Sequence, residues 1–311
     1  MSSAETQLDV LRAKRLVVTA DDFGLSVPVN EAVERAHRDG VLSAASLMVG
    51  APAADDAVER TRKLPSLGVG LHLTLLDGRP VLPPDQIPDL IGANGRFFSD
   101  AIRFGVALYL SPKLQRQANA EINAQFERFA AAGLRPDHVN GHRHFHLHPV
   151  VLRSITEIAP RFGRPPVRTP LEPFIPSFRA RRNRAFGRLL SSVFYSTQTR
   201  RMRRFLREAQ IPSNDNLFGL NDSGALTEAI LLGLIDELPV GVSEIYCHPA
   251  TRRWEGADNL PASYRPESEL AALLSPVVKR ALEDRGLWPL SYRDAVTSVQ
   301  RASQRVTKES L

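Results

Sequence analysis

Short apolar runs alternate with amphipathic stretches along most of this 311-residue chain, the pattern of βα units feeding a parallel sheet. "RLVVTA" (15–20) is a continuous apolar run ending in "DDFG", as a strand buried on both faces would be. From Pro28 to Asp39 apolar residues recur at helical spacing, and Gly40 marks the stop. The same alternation predicts a strand at 43–50, a helix at 53–63 and a strand at 67–75, followed by a Pro/Gly-rich loop from Asp77 to Asn94. A long helix is predicted at 113–132, a brief strand at 135–142, a helix at 149–162 and a short strand at 165–170. The pattern is irregular from there to about 225. It resumes with a helix at 225–237, a strand at 242–250, a helix at 267–284 and a closing strand and turn at 287–295. The expectation is one α/β barrel domain over 14–297, with flexible tails at 1–13 and 298–311.

Composition changes this picture in one place. The chain is 43% hydrophobic and 24% charged, ordinary for a globular protein. Its one cysteine, Cys247, excludes an internal disulfide and suits a reducing compartment. The first residues lack the apolar core of a signal peptide, and no run of about 18 apolar residues could span a membrane. A cytoplasmic protein is expected. The net charge of +6 is uneven, however: residues 179–207 hold ten arginines and no acid, and elsewhere acids outnumber bases. A basic patch confined to one segment points to a local anionic partner and not to nucleic acid. Within it Phe186, Leu189, Leu190, Val193 and Phe194 recur at helical spacing, as do Met202, Phe205, Leu206 and Ala209. This predicts a basic helical insertion at about 173–212. It would be either a helical pair lying on an anionic membrane, at the inner membrane surface, or a hairpin packing its apolar stripe on the barrel as a lid.

In this register polar residues fall where strands finish: Asp21 and Asp22, His72, His138 through His148, Arg168 and His248. The C-terminal strand ends of an α/β barrel meet at one mouth, where the chemistry is carried. Each residue has a plain alternative: the aspartates could hold turn amides or cap the next helix, and His72 could be a satisfied structural histidine. The stretch "GHRHFHLHP" (141–149) sets four histidines at every second position, and in an extended chain these cannot all reach one ion. His142 lies nearest the strand end and is the ligand candidate. His144 and His146 would line the pocket or bond the backbone, and His148 would cap the following helix. One Asp and two His, namely Asp22, His72 and His142, make a facial set with open positions for water and substrate. A water made acidic by a divalent ion could then attack an amide or ester, with Asp21 as base and His248 as acid.

These residues lie in motifs that resemble a known family. "TADDFG", "GLHLTL", "HVNGHRHFHLHP", "YCHPA" and "SYRDA" occur in the order found in the YdjC-like carbohydrate deacetylases, the family of chitooligosaccharide deacetylase, over residues 15 to about 296. The resemblance implies a distorted TIM-like (β/α) barrel, a divalent metal and removal of N-acetyl from an acetylated amino sugar. It implies Asp22, His72 and His142 as ligands, Asp21 as base and Arg168 as the residue orienting that base in the substrate pocket. Arg143 departs from the His-His-His run common in the third motif, which leaves the ligand but changes pocket polarity. "NDNLFGLNDSG" (214–224) and the basic middle resemble the subgroup associated with hopanoid biosynthesis, which implies an N-acetylglucosaminyl lipid as substrate. Soluble chitooligosaccharides are the alternative, and a phosphoester hydrolase or a metal- and anion-binding protein the next. Magnesium is the metal by resemblance, while zinc, manganese or cobalt suit the ligand types.

Overall fold

The computed structural model describes residues 13–183, 185–256, 258 and 260–297. The tails expected at the two ends lie almost wholly outside the described residues. Six parallel strands form one sheet in the order β4-β3-β2-β1-β6-β5: β1 Lys14–Phe23, β2 Ala44–Leu47, β3 Gly68–Leu73, β4 Val139–Gly141, β5 Asn216–Phe218 and β6 Gly241–Cys247. The two edges are bridged by the segment 166–171. On one side Val139 N donates to Pro166 O (2.8 Å) and Arg168 N to Val139 O (3.0 Å); on the other Val167 N donates to Pro212 O and Leu217 N to Leu171 O (both 2.9 Å). The sheet therefore curls into the distorted barrel that was expected. The strand predicted at 165–170 is reduced to a single bridge between Val139 and Val167. Pro165, Pro166 and Pro170 remove the donors a longer ladder would need.

The helices are α1 Val27–Asp39, α2 Ala54–Thr61, α3 Ala101–Leu110, α4 Pro112–Ala131, α5 Pro149–Ile158, α6 Phe174–Arg181, α7 Ala185–Glu208, α8 Glu228–Glu237, α9 Pro266–Leu273 and α10 Pro276–Glu283. Three expectations are corrected. The helix predicted at 267–284 is two helices, because Pro276 cannot continue α9 and Ser275 Oγ caps α10 by accepting from Val277 N and Val278 N. Of the closing strand and turn read at 287–295, no strand forms: the segment leads into a helix at 292–297, and Leu290 N reaches Leu16 O on β1 (2.8 Å). β5 and α3 fell in stretches read as irregular or left unassigned: β5 is three residues long, and α3 carries exposed apolar residues that blur its period.

Where the segments connect to the core decides what α7 presents. Its C-terminal half packs Met202 and Leu206 into the main core. Its N-terminal half leaves Phe186, Leu190, Val193 and Phe194 exposed, Phe186 at 79%. The two apolar runs read in the sequence as a helical pair thus lie on one helix, and in its N-terminal half Arg188, 1% exposed, turns inward while its apolar neighbours face out.

Candidate metal centre and catalytic cavity

Two consecutive side chains of a regular strand point to opposite faces, yet both Asp21 and Asp22 line one cavity of about 640 Å³. The backbone supplies the reason. The β1–β2 register shifts between Ala20 and Phe23, and Asp22 adopts φ 62°, a left-handed conformation. Such a bulge re-aims a side chain at a strand end. Gly24, at φ 92°, completes the turn, where a Cβ would meet Leu47 Cδ1 at 3.0 Å and Met48 O at 3.2 Å.

Asp22 Oδ1 receives His142 Nδ1 at 3.0 Å and lies 3.3 Å from His72 Nε2. One ligand atom from each of the three residues lies within 4.8 Å of the others. Two imidazole nitrogens and a carboxylate oxygen converging at this spacing fit a single divalent ion, with room for further ligands on the cavity side. The tautomer of His72 follows from its neighbours. Asp21 can only accept, so Asn140 turns its amide nitrogen to Asp21 Oδ1 (3.1 Å) and its oxygen to His72 Nδ1 (2.6 Å). His72 Nδ1 therefore carries the proton, and Nε2 keeps its lone pair for a metal. Asn140 also donates to Ser46 Oγ (2.8 Å), which bonds His138 Nε2 (2.9 Å), whose Nδ1 meets Asp137 (3.2 Å). A ladder of buried polar groups thus runs from the barrel floor to the cavity.

Asp21 is held separately. Arg168 donates to both of its oxygens (2.6 and 3.0 Å) and to both oxygens of Glu244 (3.0 and 2.6 Å). Burial works against ionising Asp21, but the Arg168 charge and then His72 prevail and hold its carboxyl far below the usual range. Asp22 is also buried, and His142 keeps it low in the same way. Burial disfavours the charged form of His142, yet Asp22 beside it raises its pKa. His248 lines the cavity between the rings of Tyr246 and Tyr264, with centroids at 5.6 and 5.0 Å. Burial keeps its imidazole below the ordinary value against the pull of Asp22 and Asp21.

The histidine run is not extended. It forms a tight turn, His142–Leu147, with Arg143 and His144 at φ 53° and 56°. His142 reaches Asp22, and His144 lines the cavity and bonds Tyr246 Oη (3.2 Å). Of the two roles expected for His146 the structure shows backbone bonding, and the pocket-lining role is corrected. Its Nε2 meets Arg168 O (2.9 Å), it lies behind the cavity wall, and burial lowers its pKa to about 3. His148 does not cap α5 with its side chain; its Nε2 ties to Gly105 O of α3 (3.1 Å). Arg168 is likewise behind the wall, so it orients Asp21 without touching the cavity. Arg143 pairs at the rim with Asp77 (3.0 Å).

Sequence reasoning missed Asn140 and Glu244. Both had a signal: Asn140 stands midway between His138 and His142 at strand spacing, and Glu244 is an acid in an otherwise apolar strand, which demands a buried cation. Ser223, Tyr195, Tyr246 and Tyr264 also line the cavity; Tyr246 and Ser223 lie inside the motifs "YCHPA" and "NDNLFGLNDSG" but were not singled out, and Tyr195 and Tyr264 lie in no motif.

The chain matches the YdjC-like protein family over residues 15–284. A carbohydrate deacetylase of Geobacillus stearothermophilus is 31% identical over 281 residues, 89% of this chain and 96% of that one. Another, from Vibrio campbellii, is 27% identical over 291 residues, 93% and 99% of the two chains. Among solved structures, an Enterococcus faecalis protein described as a candidate cellobiose-phosphate cleavage protein superposes with a TM-score of 0.68 at 25% identity, covering 91% of this chain and 99% of that one. With the five ordered motifs, this match over most of its length makes the chain a member of the YdjC-like family.

Proposed function

We propose that the protein is a divalent-metal-dependent carbohydrate N-deacetylase. The observation that carries this reading is the convergence of Asp22, His72 and His142 beside a separately held Asp21 in one cavity. The names of its relatives support it. When bound, the ion would acidify a water and polarise the acyl oxygen. Asp21, kept ionised and aimed by Arg168, takes the proton of the attacking water. His248, across the cavity on the β6 side, gives a proton to the amine nitrogen as the C–N bond breaks, so that amide and water yield acetate and a free amino sugar. Tyr246 and Tyr264 hold the imidazole between them. His144 and Tyr195 complete the wall.

A phosphoester substrate fits less well. Asp21, Asp22, Asp77 and Asp258 line the cavity, and among the described residues the one lining guanidinium, Arg143, is paired with Asp77. Within the deacetylase reading, the acetyl sugar is an N-acetylglucosaminyl lipid of hopanoid type, met at the inner membrane surface. The 214–224 stretch and the arginine-rich segment support that choice over soluble chitooligosaccharides. Acetate release from lipid-linked and soluble N-acetylglucosaminyl compounds, before and after chelation, tests it. Chelator-sensitive release that favours the lipid is expected, and no release from either would contradict the proposal. Elemental analysis decides between magnesium and a transition ion, which the imidazole ligands favour.

A further inference from the structure

Two exposed apolar stripes stand beside the cavity. On α7, Phe186, Leu189, Leu190, Val193 and Phe194 follow the i, i+3, i+4, i+7, i+8 period of one helix face, and all are exposed. On α3, Ile102, Val106, Tyr109 and Leu110 do the same, with Ile102 at 82% and Leu110 at 71% exposure. Both helices border the histidine turn. Phe104 of α3 stacks on Phe145 (5.4 Å), His148 bonds Gly105 O, and α7 packs against the turn and against α5. Tyr195, next to Phe194 on α7, lines the cavity itself. Large exposed apolar side chains at this density mark an interaction surface.

Charge selects the occupant. Arg200, Arg201 and Arg207 are exposed on α7 and Arg182 just beyond α6, while the exposed Arg204, Arg179 and Arg181 also pair with Glu208 (2.9 Å), Glu237 (3.7 Å) and Asp222 (3.4 Å). No acid occurs between 179 and 207. A second copy of the chain meeting this face across a twofold axis would set arginines against arginines. Arg188 and Arg203 do not contribute: Arg188 is buried on Asp222 (2.8 Å), and Arg203 binds the carbonyls of Asn214 and Asp215. We infer that the exposed faces of α3 and α7 form one docking surface for an anionic lipid bilayer, with the cavity mouth between them. Apolar side chains enter the acyl boundary while the arginines meet the headgroups. The inference rests on the lipid-linked reading of the substrate and adds where the membrane sits.

Sedimentation of the full chain with vesicles of phosphatidylcholine, alone or mixed with phosphatidylglycerol, tests it. Binding should require the anionic lipid and weaken with salt. Arg200→Ala/Arg201→Ala should weaken it by about fivefold per arginine. Leu190→Ser/Phe194→Ser on α7 and Ile102→Ser/Leu110→Ser on α3 should each weaken it as well. These positions are exposed, so acetate release from a soluble acetylated amino sugar should stay at the wild-type rate and report intact folding. Absence of vesicle binding, or binding indifferent to the α3 pair, would overturn the surface. So would variants that split a dimer in analytical ultracentrifugation while leaving vesicle binding unchanged. Binding that the variants abolish, in a protein that spares lipid-linked N-acetylglucosamine, would support the surface and contradict the substrate reading alone.

Discussion

Arg168 and Arg188 are both fully buried, and each bridges two carboxylates, Asp21 with Glu244 and Glu172 with Asp222. The consequences differ with place. Asp21 opens onto the cavity, so Arg168 orients the group proposed as the base. Glu172 and Asp222 do not line the cavity, and Arg188 also draws in Ser177 and Asn183, so that α7 is clamped onto the barrel beside α6. The same chemical device fixes a cavity carboxylate, the proposed base, in one region and holds an exposed helix in the other.

The comparison breaks if the two arginines prove interchangeable in effect. Arg168→Met leaves two buried carboxylates unpaired, which should cost about 3–5 kcal/mol of stability in urea unfolding. It should also lower kcat for acetate release by at least about 10²-fold, the lower end for losing general base catalysis. Arg188→Met removes a pair of the same kind, but the loss should appear locally, as faster amide exchange across 174–208. Release of acetate from a soluble substrate should stay close to wild type. Equal losses of turnover in both variants would erase the distinction.

Glu269 sharpens the comparison as a buried carboxylate with no cation beside it among the described residues. Its oxygens accept from Leu226 N (2.9 Å) and His248 N (2.6 Å), and burial nonetheless pushes its pKa from 4.5 to about 7. The folded state then holds a proton that the unfolded chain releases, so its contribution to stability is full below about pH 4.5. It is lost as pH rises towards 7, by about 3 kcal/mol at most. Unfolding free energy measured against pH should fall less steeply over this window in Glu269→Gln than in the wild type, although the variant loses one accepting oxygen. Parallel curves would show that Glu269 is ionised in the fold.

Much of the site was legible because strand ends in a βα pattern carry their polar residues to one mouth. Asp22, His72 and His142 needed only correct strand ends, and those survived errors of several residues in strand length. The positions that escaped depend on facts no local pattern encodes. The bulge that aims both aspartates inward is a matter of β1–β2 register, and the Asn140 amide is oriented by three partners from different strands. His146 looked equivalent to His144 at spacing two, but the left-handed turn at Arg143 and His144 sends it behind the wall. On α7 the helical period was visible, whereas the split between its packed and exposed halves is set by where the helix leaves the barrel.

The most direct test of the account compares metal content with turnover in Asp21→Asn and His72→Ala. Asp21→Asn should retain one equivalent of metal by elemental analysis while losing about 10²–10⁴-fold in kcat. His72→Ala should lose ion and activity together. If Asp21→Asn lost the metal, or if His72→Ala kept it at full stoichiometry, the division between a metal-holding trio and a separately held base would be wrong.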